Sequence, residues 1–133
     1  MHSIEVRDPL QFLSAMPAWL RDKGEVWFER PRWPESLALQ LLPWRLSKSK
    51  PQGIKLGTVW PRSELIGIRC TAEAVRSIVR AAADMAAVEV CDHFHVYEGG
   101  CWVASSYDFG LNTAPEIAGD VADERMEQLA ELL

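Results

Sequence analysis

Between residues 9 and 20 the apolar positions Phe12, Leu13, Met16, Trp19 and Leu20 recur three and four apart, the spacing of one helical face. Asp8 offers an N-cap carboxylate, Pro9 suits the first helical position, Gln11 is placed to reach back, and Gly24 supplies a stop. Pro17 is expected to kink or divide this helix. A second stripe, Val75, Ile78, Val79, Ala82 and Met85, follows a Thr71 cap, with Glu73 in the first turn and Arg76, Arg80 and Asp84 opposite. A third, behind Asp120 as cap, comprises Val121, Met126, Leu129, Ala130 and Leu133.

Elsewhere the period falls to two. EVWFER (25–30), IKLGTVW (54–60), SELIGIRC (63–70), VEVCDHFHVY (88–97) and CWVASSYDF (101–109) read as strands. In PESLALQLLPWRL (34–46) Leu37, Leu39 and Leu41 alternate, and the segment is expected as a strand, although Pro34 would equally open a short helix ended before Pro43. SKSKPQG (47–53) is loop, as is GLNTAPEIAG (110–119) apart from a short strand at most. The order predicts an α+β fold, a mostly antiparallel sheet of about 5–6 strands with about three helices packed mainly on one face.

Length and composition bound the rest. A chain of 133 residues that is 48% apolar, with six tryptophans, is expected to form a single globular domain over 1–133. Its start lacks a basic leader, and no run approaches the ~18 apolar residues of a membrane span, so a cytoplasmic, membrane-free setting is expected. Three cysteines, an odd count, read as reduced thiols. The net charge of −5 is unevenly spread. Residues 1–83 carry thirteen Lys/Arg against eight Asp/Glu, whereas residues 84–133 carry only Arg125 against eleven acids. Such polarity bears on partners and encounter rates rather than on fold.

The densest chemistry lies in HVYEGGCWVASSYDFG (95–110). A two-residue turn at Glu98-Gly99 would set Val96 across from Cys101, His95 across from Trp102 and Cys91 across from Ser106. One face of the hairpin would then be apolar, and the other would collect Glu89, Cys91, His93, His95, Trp102, Ser106 and Asp108, turned outward. Trp19, Trp27 and Trp60 are expected in the core, as is Cys101, and Trp33 and Trp44 at the surface.

Several chemistries compete for that face. His93 and His95 point the same way with Cys91 next in line, a partial metal-ligand set, though no second histidine pair completes it. Cys91 beside His93 suggests a thiol nucleophile, but a two-residue offset spans roughly 7 Å along a strand. Glu89 and Asp108 would form a carboxylate pair, a juxtaposition more common on acidic surfaces than in tuned dyads. The basic, tryptophan-flanked stretch of Trp44, Arg45, Lys48, Lys50, Lys55, Trp60 and Arg62 permits a nucleic-acid reading, which the acidic total opposes. No nucleotide-binding glycine motif, serine-hydrolase motif or CxxC pair is present, and no cofactor is implied. The leading expectation is therefore a non-catalytic binding protein, with a small metal- or thiol-dependent enzyme built on Cys91, His93 and His95 as the alternative.

With its size, acidity, tryptophan content and the hairpin HVYEGGCWVASSYDFG, the chain resembles the small cytosolic immunity proteins that neutralise bacterial polymorphic toxins. That resemblance implies a one-to-one complex in which the acidic end covers a basic toxin domain. The expected contact residues are Glu89, Asp92, His93, His95, Trp102, Asp108, Asp120, Asp123 and Glu124.

Overall fold

The computed structural model describes residues 2, 4–21, 24–47, 64–109 and 113–133. In chain order it runs α1 (Pro9–Trp19), β1 (Gly24–Glu29), α2 (Glu35–Gln40), a 3-10 turn (Leu42–Trp44), β2 (Leu65–Arg69), α3 (Ala72–Ala82), α4 (Ala87–Val90), β3 (His93–Glu98), β4 (Cys101–Ser106), β5 (Glu116–Ile117) and α5 (Asp123–Leu132). The strands form one antiparallel sheet in the order β2-β1-β3-β4-β5, so the α+β reading holds. The expected strand over 54–60, positions 48–53 of the basic loop, Trp60, Lys55 and Arg62 lie outside the described residues.

Local chemistry sets the helix starts. Asp8 accepts from the Leu10 amide, with Pro9 at the first helical position, and Thr71 Oγ1 accepts from the Ala74 amide. α1 continues through Pro17 to Trp19, and Gln11 donates to the Leu133 carbonyl instead of reaching back to the cap. The stretch 34–46 is helical, not a strand. Leu37 and Leu41, four apart, are buried, whereas Leu39 between them is 57% exposed, so the operative period was the helical one. Residues 88–90, expected to begin a strand, instead belong to the single helical turn α4, and α5 starts after Ala122 rather than at Asp120.

Cross-strand register sorts the sheet into two faces. Val26 and Phe28 pair with Ile68 and Ile66 on one side and with Val96 and Phe94 on the other, giving an apolar face. Phe12 of α1 stacks on Phe94 at 6.3 Å, and the buried residues Met16, Trp19, Val75, Ile78 and Leu129 of α1, α3 and α5 belong to the same core. The opposite face carries Glu25, Trp27 and Glu29 of β1 with His93, His95 and Tyr97 of β3, and every one of these is buried. Trp27 packs over Gly67, its partner on β2, where an added Cβ would lie 2.7 Å from the indole. Trp19 and Trp27 are buried as expected. Trp33 and Trp44 are half-buried against the core, and the Trp33 indole donates to the Val90 carbonyl.

The hairpin departs from its expected register in two ways. Its turn is Gly99-Gly100, with φ of +58° and +82°, the left-handed pair that a two-residue type I′ turn demands. A bulge then opens where Tyr97 pairs with Trp102 but Val96 pairs with Ala104, leaving Val103 as the extra residue. Beyond it His95 faces Ser105 and Phe94 faces Ser106, the reverse of the expected pairing of faces. Cys101, expected in the core, is exposed beside the turn.

Candidate functional site

His93 and His95, expected to face outward, lie on an enclosed face of the middle strand β3, and this removes His95 from any surface role. His95 is 0% exposed. Its Nε2 lies 2.5 Å from Glu29 Oε2, and its Nδ1 lies 2.7 Å from Ser105 Oγ, which also accepts from Trp102 Nε1 at 2.8 Å. Tyr107 sets its ring edge-on to the imidazole at 5.7 Å. A serine, a histidine and a carboxylate thus stand in the order of a nucleophilic relay, but Glu29 and Ser105 are also fully enclosed, leaving no place for a substrate. The unit is a buried hydrogen-bonded network. Parity along the chain did not reveal it, because the turn at Gly99-Gly100 shifts the register by two residues and the bulge by one more, bringing Ser105 rather than Trp102 opposite His95.

The surface chemistry gathers at the end of the hairpin remote from the glycine turn. There Cys91, Asp92, His93, Asp108 and Phe109, with Ala86, Ala87 and Val88, line a cavity of about 440 Å³. The Asp92 amide donates to the Glu29 carbonyl and the Phe109 amide to the Asp92 carbonyl, pinning the two chain segments together. Asp108 adopts a positive φ of 54° and donates its amide to His93 Nδ1 at 2.8 Å. That bond uses the lone pair on Nδ1, so this ring nitrogen is occupied by the backbone. Asp108 is exposed, and Asp92 lies 3.6 Å from Arg30 Nε. Glu89, which does not line the cavity, is exposed and accepts from the Ala86 amide, capping α4. Val88, on the cavity wall, is 57% exposed.

Cys91 is buried, and burial, followed by the charges of Asp92 and Glu29, pushes its thiol well above the ordinary range. It is therefore a neutral wall of the cavity and not a thiolate nucleophile. Among the described residues no three His, Cys, Asp or Glu side chains converge as metal ligands, so Cys91, His93 and His95 do not form the set the sequence suggested. The reason is directional: both nitrogens of His95 are engaged with Glu29 and Ser105, while His93 is bonded to the Asp108 backbone.

The remaining expected contact residues stand elsewhere. β5 runs antiparallel to β4, and α5 begins beside the glycine turn, where Arg125 grips Glu98. Asp120, Asp123 and Glu124 are exposed there, roughly 17 Å along the strand from the cavity. Trp102 is half-buried, with its indole turned in to Ser105. The structure thus brings Asp92, His93 and Asp108 together at one cavity, whose lining includes none of the other six. Sequence reasoning missed Glu29, Ser105 and Phe109; only Phe109, in alternation after Val103 and Tyr107, carried a visible signal.

No protein-family model, no curated protein and no solved structure matches the chain.

Proposed function

We propose that this chain is a non-catalytic binding protein that neutralises a basic protein partner, as the immunity proteins that its hairpin resembles do for their toxins. The observation that carries the reading is the cavity of about 440 Å³, whose walls are Ala86, Ala87, Val88 and Phe109 and whose carboxylates are Asp92 and Asp108. An apolar wall with acids beside it suits the aliphatic stem and cationic head of a lysine or arginine from a partner. The histidine and thiol at the same place favour binding over chemistry, the one with its Nδ1 occupied by a backbone amide and the other kept protonated by burial. Asp120, Asp123 and Glu124 add a field of the same sign at the other end of the hairpin, which speeds encounter more than it tightens the complex.

The test pairs the protein with the product of the reading frame adjacent to its own. Co-expression is expected to relieve growth arrest by that product, and the purified pair to form a one-to-one complex. Joint substitution of Asp92→Asn and Asp108→Asn is expected to weaken the complex by at least about tenfold, with the melting temperature of the free protein little changed. Absence of both protection and complex formation would overturn the reading.

A further inference from the structure

At the opposite side of β1 from the hairpin, a second cavity of about 620 Å³ is lined by Arg21, Arg45 and Arg69 together with Glu25, Ser47 and Thr71. The sheet fixes these cations in place. Arg69 closes β2 directly across from Glu25. Arg45 bridges to Ile68 and the Leu46 amide donates to the Gly67 carbonyl, so this segment lies along the outer edge of β2. Arg21 precedes β1, with its amide bound to Glu98.

Among the described residues that line the cavity, three arginines stand against one carboxylate. Its one carboxylate, Glu25, is buried and accepts from the Trp27 indole at 3.1 Å. Among the described residues no carboxylate forms an ion pair with Arg45 or Arg69, and both are exposed. Arginines lining one concavity favour an anion between them. Their fork of donors matches phosphate oxygens. Thr71 Oγ1 accepts from the Ala74 amide, so its own proton is left to donate to a ligand oxygen, and the Ser47 hydroxyl stands on the same wall.

We infer that this cleft is a binding site for a small phosphomonoester carried on a hydroxylated frame, a sugar phosphate or a nucleoside monophosphate, with Arg45 and Arg69 holding the phosphate. The site is separate from the acidic cavity and does not rest on the protein-binding reading.

Calorimetric titration of the full chain at low salt, with ribose, ribose 5-phosphate, adenosine monophosphate and inorganic phosphate as probes, tests it. Ribose 5-phosphate or the nucleotide is expected to saturate the protein, ribose to be silent, and phosphate alone to bind at least about tenfold more weakly. Arg45→Ala and Arg69→Ala are each expected to weaken the phosphorylated sugar about tenfold, the loss of one charge-assisted pair. Arg80→Ala, an exposed α3 arginine outside the cleft, is the control and should change affinity less than about twofold. No saturable binding by either phosphorylated probe, or an Arg80 effect equal to that of Arg69, would overturn the inference. A preference between the two phosphorylated probes tells whether a base is part of the ligand.

Discussion

Glu29 and His95 stand diagonally across adjacent strands, Oε2 to Nε2 at 2.5 Å, with no solvent reaching either side chain. Glu29 lies directly opposite His93, yet it is His95 that it binds. On the far side Ser105 receives both His95 and the Trp102 indole. The sheet therefore has a polar face as enclosed as its apolar one; around His95 its polar groups are satisfied by hydrogen bonds, whereas the Tyr97 hydroxyl on the same face is buried with no partner among the described residues.

Ser105→Ala follows from this. The substitution keeps volume nearly constant but takes away the partner of His95 Nδ1 and the Ser105 acceptor of Trp102 Nε1. The expected cost is about 1–3 kcal/mol, read as a shift in denaturant midpoint. Partner binding by the folded variant should be unchanged, because Ser105 is enclosed. A variant as stable as the parent would show that the network contributes nothing.

The placement of His95 also marks where the sequence was legible. Asp8, Pro9 and Thr71 announced their helices because caps act within one turn and need no tertiary partner. The hairpin announced itself through Gly99 and Gly100, but its faces did not. Alternation separates oil from water only when one face of a strand is wet, and β3 is covered on both. The bulge at Val103 is invisible in composition and reverses the parity of every residue after it. In the candidate site, His93 and Asp108 were recognisable as neighbours on one face, whereas Asp92 was expected on the other and Phe109 meets it through the hydrogen bond from its amide to the Asp92 carbonyl. Arg125 looked like a lone cation in an acidic tail and proves to be a buried clamp.

Gly67 offers a sharper test of packing. Trp27 covers it, and that indole is buried and tied to Glu25, so it has little freedom to swing away from a new methyl group. Gly67→Ala is expected to destabilise by about 2 kcal/mol through overpacking. Adding Trp27→Leu should recover part of that loss, so the two changes will be non-additive in thermal unfolding. Strict additivity would mean that the contact imposes no strain.

At the turn the cost is purely conformational, because nothing lies within 4 Å of a Cβ at Gly99 or Gly100. Gly100→Ala, at φ +82°, is expected to lose about 1–2 kcal/mol. Gly99→Asn should stay within about 0.5 kcal/mol of the parent, since asparagine tolerates the left-handed region and Asn-Gly favours this turn. Equal losses at the two positions in a melting series would contradict the type I′ assignment.

The Glu98–Arg125 pair carries the clearest pH dependence. Both Glu98 oxygens accept from the Arg125 guanidinium, at 2.8 and 2.9 Å, and one also accepts from the Arg21 amide. The same guanidinium lies over the Trp19 ring at 4.8 Å and donates to the Trp19 carbonyl. Burial on its own would raise the Glu98 carboxyl, but the hydrogen bonds and charge of Arg125, with the Arg21 amide, bring it below its ordinary value of 4.5. A carboxyl whose folded value lies below its unfolded one binds more protons when unfolded. Its stabilisation is therefore complete above about pH 4.5 and drains away as the pH falls through the folded value. Glu98→Gln should accordingly be less stable than the parent by a constant amount between pH 6 and 8, on the order of 2 kcal/mol, with the gap closing in acid. Arg125→Met, which strands a largely buried carboxylate, is expected to cost about 3 kcal/mol at neutral pH and less once Glu98 is protonated. Urea unfolding of the three proteins across that range reads both effects, and parallel curves down to pH 3 would show that the clamp holds no charge-dependent stability.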